Sequence, residues 1–189
     1  MPVKKDTAAP AIYQLKVTLK YSKPPIWRRI QVKENTTLFK LHKIIQIAMG
    51  WTSSHLHQFI ADGVYYGEPD PDFDFEVVSE RRVRLNQILR DVKDKFIYEY
   101  DFGDGWLHEI VVEKILEPEP KTHYPCCVKG KRNCPPEDIG GVWGYQNFLE
   151  AIQNKDHPEH DELLEWIGGS FDPEDLDLEV VNQELKQLR

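Results

Sequence analysis

The stretch Phe96-Ile-Tyr-Glu-Tyr-Asp-Phe-Gly-Asp-Gly-Trp-Leu-His-Glu-Ile-Val-Val-Glu113 decides how the rest of the chain must be organised. On each side of its centre, large and mostly aromatic or apolar residues recur at every second position. This two-residue period is typical of β-strands. The centre, Phe102-Gly-Asp-Gly105, combines two glycines with an aspartate, a composition that favours a chain reversal with positive φ. The stretch therefore predicts a β-hairpin.

The predicted hairpin brings chemically active side chains close to its turn, namely Asp101, Asp104, Trp106 and His108. A carboxylate beside an imidazole can orient a catalytic histidine or help to bind a metal ion. The same residue types also suit a turn and a strand without any chemistry. Asp101-Phe-Gly103 matches the metal-binding tripeptide of protein kinases, but the glycine-rich loop and the strand lysine of kinases are absent.

The bulk composition is that of a globular protein rather than a membrane or disulfide-rich one. The 189 residues suit one domain, or one domain with a large extension. No apolar run approaches the roughly 20 residues of a membrane span. The N-terminus lacks the apolar segment of a secretory signal, and three cysteines do not make a disulfide framework. We therefore expect a cytoplasmic protein that does not associate with membranes.

Charge is distributed unevenly along the chain. Residues 1–60 contain 10 Lys/Arg and 2 Asp/Glu, whereas residues 61–189 contain 14 Lys/Arg and 30 Asp/Glu. A basic N-terminal part could bind an anionic partner, while the acidic remainder opposes unspecific DNA binding. The simpler interpretation, which we favour, is that the two parts attract each other or form solvated faces, because charge asymmetry alone is weak evidence of a partner.

Several elements precede the hairpin. Alternating patterns predict strands at 12–19 and 26–32, and apolar residues at helical spacing predict a helix over 38–48 that Gly50 ends. Residues 51–61 predict a further strand. This order predicts an α+β fold over residues 12–116: a β-grasp, ubiquitin-like mixed sheet with one packed helix, extended by the hairpin.

The strand predicted over 51–61 places His55, His57 and Phe59 on one face. Two histidines at this spacing can form part of a metal site. Without further ligands, such a pair more often belongs to the surface or to the core.

Residues 117–189 differ in character from the first part. The stretch 124–141 is rich in Cys, Pro and Gly, and we expect no regular structure there. Three helices are predicted after it, at 145–152, 158–167 and 173–188. They would form an acidic helical extension that packs on the core as one structural unit with it.

Two features of the Cys/Pro/Gly-rich stretch could supply ligands or catalytic groups. Cys127 and Cys134 could bind zinc or another divalent metal together with histidines from elsewhere, or they could simply be buried. Glu137 and Asp138 precede Gly140-Gly141, where they could cap a helix or join the carboxylates of the hairpin as acid/base or metal groups. Signatures of a serine nucleophile or a phosphate-binding loop are absent from the sequence.

The motifs together resemble the Ri-plasmid ORF-3-like family, a largely uncharacterised group of bacterial and archaeal proteins. The resemblance rests on eight stretches: Pro25-Ile-Trp-Arg-Arg29, Gly50-Trp51 with His55-Leu-His-Gln-Phe59, Tyr100-Asp-Phe-Gly-Asp-Gly-Trp-Leu-His108, Cys134-Pro-Pro-Glu-Asp-Ile-Gly-Gly141 with Gly144-Tyr145, Asp156-His-Pro-Glu-His160, and Phe171-Asp-Pro-Glu174. It implies an association with mobile elements, since some relatives carry a transposon-passenger or resolvase label. Recombinase activity does not carry over, because no serine here lies in the arginine-flanked motif that a serine recombinase needs. Cys127 and Cys134 match the two cysteines of the family pattern, and Cys126 is additional.

Three functions are compatible with these observations. The first is an interaction module that docks a protein partner. The second is a metal-dependent, hydrolase-like enzyme. Its catalytic candidates are Asp101, Asp104, His108, Glu137 and Asp138, and its metal candidates are His55, His57, His108, Cys127 and Cys134. The third, which the acidic remainder disfavours, is nucleic-acid binding through Lys20, Lys23, Arg28, Arg29, Lys40 and Lys43. Further candidates for binding roles are Trp51, Tyr100 and Trp106, with Arg28 and Arg29.

Overall fold

A computed structural model describes residues 9–69 and 76–188, and within these ranges the chain forms eight strands and five helices. The strands are β1 (Ile12–Leu19), β2 (Trp27–Lys33), β3 (His57–Ala61), β4 (Val64–Gly67), β5 (Val78–Ser79), β6 (Lys95–Tyr100), β7 (Trp106–Leu116) and β8 (Cys126–Lys131). The helices are α1 (Leu38–Met49), α2 (Leu85–Ile88), α3 (Gly141–Gln153), α4 (His160–Trp166) and α5 (Leu178–Gln187).

The strands form one sheet in the order β5-β4-β3-β6-β7-β1-β2-β8. All neighbours are antiparallel except β4 and β5. The predicted hairpin is β6–β7, where Tyr100 faces Trp106 and Tyr98 faces His108 in the register. The other edge of β6 pairs with β3, which sets His57 opposite Tyr100. The hairpin therefore lies in the middle of the sheet and connects its two halves.

Helix α1 packs its apolar side into the core between helices and sheet. The Thr37 side chain accepts a hydrogen bond from the Lys40 N–H at its start, and Gly50, at φ 101°, ends it as expected for a left-handed cap. Its apolar residues at helical spacing are fully buried: Leu38, Leu41, Ile44, Ile45 and Ala48. Hydrophobic burial of this stripe fixes the helix on the sheet.

The α+β class is confirmed, whereas the β-grasp assignment is not. β1 pairs antiparallel with both of its neighbours, β2 and β7, in a sheet of eight strands. The expectation of no regular structure over 124–141 was wrong for β8, because β2 pairs with it and supplies its backbone hydrogen bonds. His55 lies before β3 rather than inside it.

The acidic C-terminal region is helical, as predicted, and α5 covers the free edge of β8. The Asn182 amide donates to the Cys127 carbonyl at 2.8 Å and accepts from the Cys127 N–H at 2.8 Å, as a neighbouring strand would. Leu185 of α5 is fully buried. None of the helices in the described ranges is long and apolar enough to cross a membrane.

Candidate functional site

Three loop segments meet at one end of the central strands: the residues before β3, the β6–β7 turn, and the loop that leads into α3. The turn is organised by Asp101, whose Oδ1 accepts from the N–H groups of Gly103 at 3.0 Å and Asp104 at 3.3 Å. Its own N–H donates to the Leu56 carbonyl at 2.8 Å. One oxygen of the buried Asp101 carboxylate, Oδ1, thus binds the turn, and Oδ2 remains available to another partner.

The free oxygen of Asp101 belongs to an edge triad, which we define as His55, Asp101 and Asp138. His55 Nε2 lies 3.7 Å from Asp101 Oδ2 and 3.1 Å from Asp138 Oδ1. Each residue has a ligand atom within 4.8 Å of the other two. His55 Nε2 is buried and has no hydrogen-bond partner within the described part of the chain, despite its short distance to Asp138. The three ligand atoms therefore converge without bonding to one another.

The loop that carries Asp138 is held in place from three directions. The Trp51 indole N–H donates to the Pro135 carbonyl at 3.0 Å, and the Gly140 N–H donates to Asp104 Oδ2 at 3.2 Å. A Cβ atom at Gly141 would lie 2.3 Å from the Asp104 carbonyl oxygen, so only glycine lets α3 begin this close to the turn. These contacts fix the distance between the two aspartates of the edge triad.

Glu137 provides the strongest anchor of this loop. Its carboxylate accepts from the hydroxyl groups of Thr52 at 2.6 Å, Ser54 at 3.3 Å and Tyr100. Burial opposes its ionisation, but the hydrogen bonds from Thr52, Tyr100 and Ser54 outweigh that effect and lower its pKa. Burial and the adjacent Glu137 raise the pKa of Tyr100 to about 12. At neutral pH the pair is thus a carboxylate and a phenol that donates to it.

The edge triad fits a divalent metal ion. Two ligands bound at about 2.1 Å to one ion lie about 3–3.5 Å apart. The distances of 3.1 Å and 3.7 Å from His55 Nε2 to the two carboxylate oxygens are close to this range. One imidazole and two carboxylates suit Mn²⁺, Fe²⁺ or Zn²⁺. Asp101 and Asp138 also adopt left-handed backbone conformations, with φ of 56° and 60°. Six other non-glycine residues of the described ranges share this conformation, so it marks tight turns and does not single out the triad.

Two histidines of the sequence prediction lie elsewhere, in a buried histidine cluster that we define as His42, His57, His108, Tyr98 and Glu80. The rings of His42 and His57 stack at 3.5 Å. His42 Nδ1 lies 2.8 Å from the Tyr98 hydroxyl, and His57 Nε2 lies 2.8 Å from Glu80 Oε2. His57 and His108 are in no group of three converging metal ligands within the described ranges.

His108 is fully buried, and its Nδ1 lies 3.0 Å from the Trp106 carbonyl oxygen. Burial lowers the pKa of His108 to about 4, although the hydrogen bond to Trp106 opposes the shift. Burial also lowers the pKa of His42 to about 3, with smaller effects from His57 and Lys43. Both imidazoles are therefore neutral at pH 7, a state that favours packing over acid catalysis.

The cysteine candidates receive no support as ligands. Cys127 lies in β8 with its thiol 3.6 Å from the Lys129 carbonyl, and Cys134 is buried in the core cluster. Burial raises the pKa of both thiols. Neither cysteine joins a group of three metal ligands among residues 9–69 and 76–188.

The candidate binding residues fall into two groups. Trp51, Tyr100 and Trp106 are buried and pack on one another, so their rings are not available to a partner. Arg28 is buried, and its guanidinium donates to the carbonyls of Ala48, Trp27 and Lys131, so it is not available to a partner. Arg29 is paired with Glu113.

The sequence interpretation missed the residues that surround the triad. Thr52 and Ser54, which bind Glu137, carry no motif of their own. Three apolar side chains of the same segments are largely exposed: Leu56 at 71%, Phe102 at 50% and Trp143 at 80%. Their only signal in the sequence is position, because each lies within five residues of a triad member.

Comparison with known proteins places the chain among relatives without an assigned activity. The model of the plasmid pRiA4b ORF-3-like protein family matches residues 11–180. The uncharacterized protein y4hQ of Sinorhizobium fredii (strain NBRC 101917 / NGR234) is 43% identical over 161 residues, which cover 85% of this chain and 82% of the relative. A crystal structure of the protein of unknown function MM3350 from Methanosarcina mazei Go1 superposes with a TM-score of 0.84 at 39% identity. It covers 92% of this chain and 97% of the other.

Proposed function

This chain belongs to the plasmid pRiA4b ORF-3-like family, and we propose that it is a metal-dependent, hydrolase-like enzyme whose metal ion is bound by His55, Asp101 and Asp138. One observation carries the proposal: His55 Nε2 is buried without a hydrogen-bond partner in the described chain, although two carboxylate oxygens lie within 3.7 Å of it. A buried polar atom without a partner costs free energy, and a cation at the shared focus of the three atoms removes that cost.

The number of ligands favours catalysis over a structural role. Structural zinc sites are closed by four protein ligands, whereas catalytic sites use three and leave room for water and substrate. The Asp138 side chain is 72% exposed, which leaves the site open to solvent on that side. A metal ion bound there would polarise a carbonyl group and lower the pKa of its bound water.

The protein groups around the triad have separate tasks in this proposal. Asp101 is oriented by its own turn, and Asp138 is oriented by Glu137 and by the bond between Gly140 and Asp104. Glu137 already accepts from three hydroxyl groups, so it positions the loop rather than acting as a base. Asp138 would bind the metal ion through Oδ1, and its second oxygen, Oδ2, would accept the proton of the attacking water in hydrolysis.

Metal titration tests the proposal directly. Protein made without a metal-affinity tag and freed of metal with a chelator should bind one equivalent of Mn²⁺ or Zn²⁺ in isothermal titration calorimetry. His55→Ala and Asp101→Asn should each weaken binding by about 100-fold, since each removes a direct ligand. The asparagine keeps an Oδ1 acceptor for the turn of residue 101. A metal-loaded sample should then hydrolyse 4-nitrophenyl esters, and the variants should not.

Asp62→Asn is a matched control for these variants. Asp62 is an exposed aspartate in the β3–β4 turn, and its backbone is left-handed, at φ 49°, like that of Asp101. Its substitution should leave metal affinity unchanged. The proposal fails if wild-type protein binds no metal ion at millimolar concentration, or if the control loses as much affinity as the triad variants.

A second candidate function is docking of a protein partner through the C-terminal helices. Residues 156–184 contain 11 Asp/Glu and no Lys/Arg, and Trp166 and Val180 there are each 48% exposed. An acidic surface with exposed apolar residues suits a basic partner. Pull-down from a native extract should recover a partner that Trp166→Ala and added salt release. Retention of the same proteins by the variant at high salt would argue against this role.

A further inference from the structure

The segments that build the edge triad carry no basic side chain. Residues 44–80, 96–113 and 134–154 contain no Lys or Arg, while the triad is accompanied by the carboxylates of Asp104 and Glu137. In the described part of the chain, no Lys or Arg forms an ion pair with any of these carboxylates. The ammonium group of Lys20, at the neighbouring end of β1, lies over the Tyr21 ring. A divalent cation would be balanced by its two aspartates alone, and the remaining field would be negative.

This charge pattern opposes an anionic substrate. Enzymes that act on phosphoryl groups surround them with Arg, Lys or several cations, which stabilise charge in the transition state. Nucleic-acid sites need the same cations for the phosphate backbone. Neither requirement is met by the three segments, so the electrostatics favour an uncharged or cationic substrate.

Exposed apolar residues beside the edge triad indicate that the substrate carries an apolar or aromatic group. Leu56 follows His55, Phe102 follows Asp101, and Trp143 lies in the first turn of α3, directly after the loop that carries Asp138. The backbone contacts between Leu56 and Asp101, and between Gly141 and Asp104, hold the three segments together. Exposed apolar residues concentrated beside a polar centre mark a ligand-binding surface.

We propose that the edge triad acts on an uncharged or cationic ester or amide whose apolar or aromatic group packs against Leu56, Phe102 and Trp143. This inference rests on the proposed metal-dependent function and adds a substrate class to it. In the reaction, water adds to the carbonyl carbon and the bond to the alkoxy or amino group breaks. One proton of the water passes through Asp138 to the leaving group, so that an acid and an alcohol or amine are released.

Three metal-binding probes test the substrate class without relying on turnover. Benzohydroxamic and acetohydroxamic acid are uncharged in solution at neutral pH, release one proton when they bind a metal ion, and differ only in their apolar group. Phenylphosphonic acid has the same phenyl ring as the benzoyl probe and carries more negative charge at neutral pH. Each is titrated into Zn²⁺-loaded protein and, in parallel, into Zn²⁺ alone. Relative to free Zn²⁺, the protein should prefer the benzoyl over the acetyl probe by at least about fivefold. It should disfavour the phosphonate by at least about tenfold.

Variants distinguish binding of the probe at a specific surface from nonspecific hydrophobic binding. Trp143→Ala should reduce the benzoyl preference to less than about twofold, and Phe102→Ala provides a second test should the first variant unfold. Trp166→Ala removes another half-exposed tryptophan, on α4, and should retain the preference. Normal Zn²⁺ binding with no benzoyl preference, or with equal acceptance of the phosphonate, would overturn this inference alone. Failure to bind Zn²⁺ would overturn both this inference and the proposed function.

Discussion

The buried histidine cluster and the edge triad use the same residue types in opposite ways. In the buried cluster, His42, His57 and His108 each have a hydrogen-bond partner at one ring nitrogen and stack or pack on aromatic rings, while His108 Nε2 and Glu80 Oε1 have no partner within the described residues. In the edge triad, His55 has no hydrogen bond through Nε2, and two carboxylate oxygens converge on that atom. A missing hydrogen bond therefore occurs in both regions, and what distinguishes the edge triad is that two carboxylate oxygens converge on the unpartnered nitrogen.

The comparison also explains why the two regions lie so close together. His57 pairs in register with Tyr100, and Tyr100 binds the Glu137 that anchors the triad loop. The buried cluster thus packs next to the strand end that carries the site. A site built on rigid elements keeps its ligands at fixed distances, which metal binding requires.

Acidification should cause the largest of the expected losses of stability, because the buried histidines resist protonation in the folded state. Burial lowers the pKa of His42 to about 3 and that of His108 to about 4. As the pH falls, both histidines are therefore protonated in the unfolded chain before they are protonated in the folded chain. Stability is therefore complete above a pH of about 6.5 and falls as the pH drops toward the folded-state values. From pH 7 to pH 5 we expect a loss of about 4 kcal/mol in the free energy of unfolding.

Urea denaturation across this pH range measures the effect. His42→Gln has an uncharged side chain at every pH, and it should show a slope about half that of the wild type between pH 7 and pH 5. Carboxylates with lowered pKa, such as that of Glu113, titrate below this range and do not interfere. Equal slopes in both proteins would show that His42 is not a buried neutral group.

Removal of one histidine from each region should separate their roles. His57→Ala leaves the buried Glu80 carboxyl without its hydrogen-bond partner and removes the ring that stacks on His42, so it should cost about 2–3 kcal/mol of stability. His55→Ala in metal-free protein should cost less than about 1 kcal/mol. Urea unfolding of both variants measures the difference. A larger loss for His55→Ala would assign a structural role to the edge triad.

Metal binding should reverse the order of the two histidine variants, so that His55→Ala then loses more stability relative to the wild type than His57→Ala. Saturation at 100 times the dissociation constant adds about 2.7 kcal/mol to the stability of a protein that binds only when folded. Thermal melting with and without Mn²⁺ or Zn²⁺ should therefore raise the melting temperature of the wild type but not that of His55→Ala. His123→Ala, an exposed histidine outside both regions, should respond like the wild type. A metal-dependent rise in His55→Ala would move the site elsewhere.

The sequence was sufficient for the parts of the fold that local patterns determine. The hairpin, the helix ended by Gly50 and the helical C-terminal region follow from spacing and turn chemistry. β8 was missed because Cys126-Cys-Val-Lys-Gly-Lys131 has no alternating pattern, and its structure depends on pairing with β2. The site was predicted only as a set of candidates. Asp101 and Asp138 are 37 positions apart, and the packing of Gly141 on Asp104, which joins them, is a contact between distant segments.

Tyr100 links the two regions, and its substitution should change metal affinity less than the loss of a triad ligand. Its ring lies 6.5 Å from that of His42 and 5.8 Å from that of His55, while its hydroxyl donates to Glu137 and accepts from the Ser54 N–H. Tyr100→Phe keeps the ring and removes both hydrogen bonds, at a cost of about 1 kcal/mol. Because Glu137 then anchors Asp138 less firmly, metal affinity should fall by about three- to tenfold, far less than for loss of a direct ligand. Calorimetric titration of Tyr100→Phe beside Tyr98→Phe, which alters the buried cluster alone, measures this coupling. An unchanged affinity in both variants would show that the edge triad is held without the support of Tyr100.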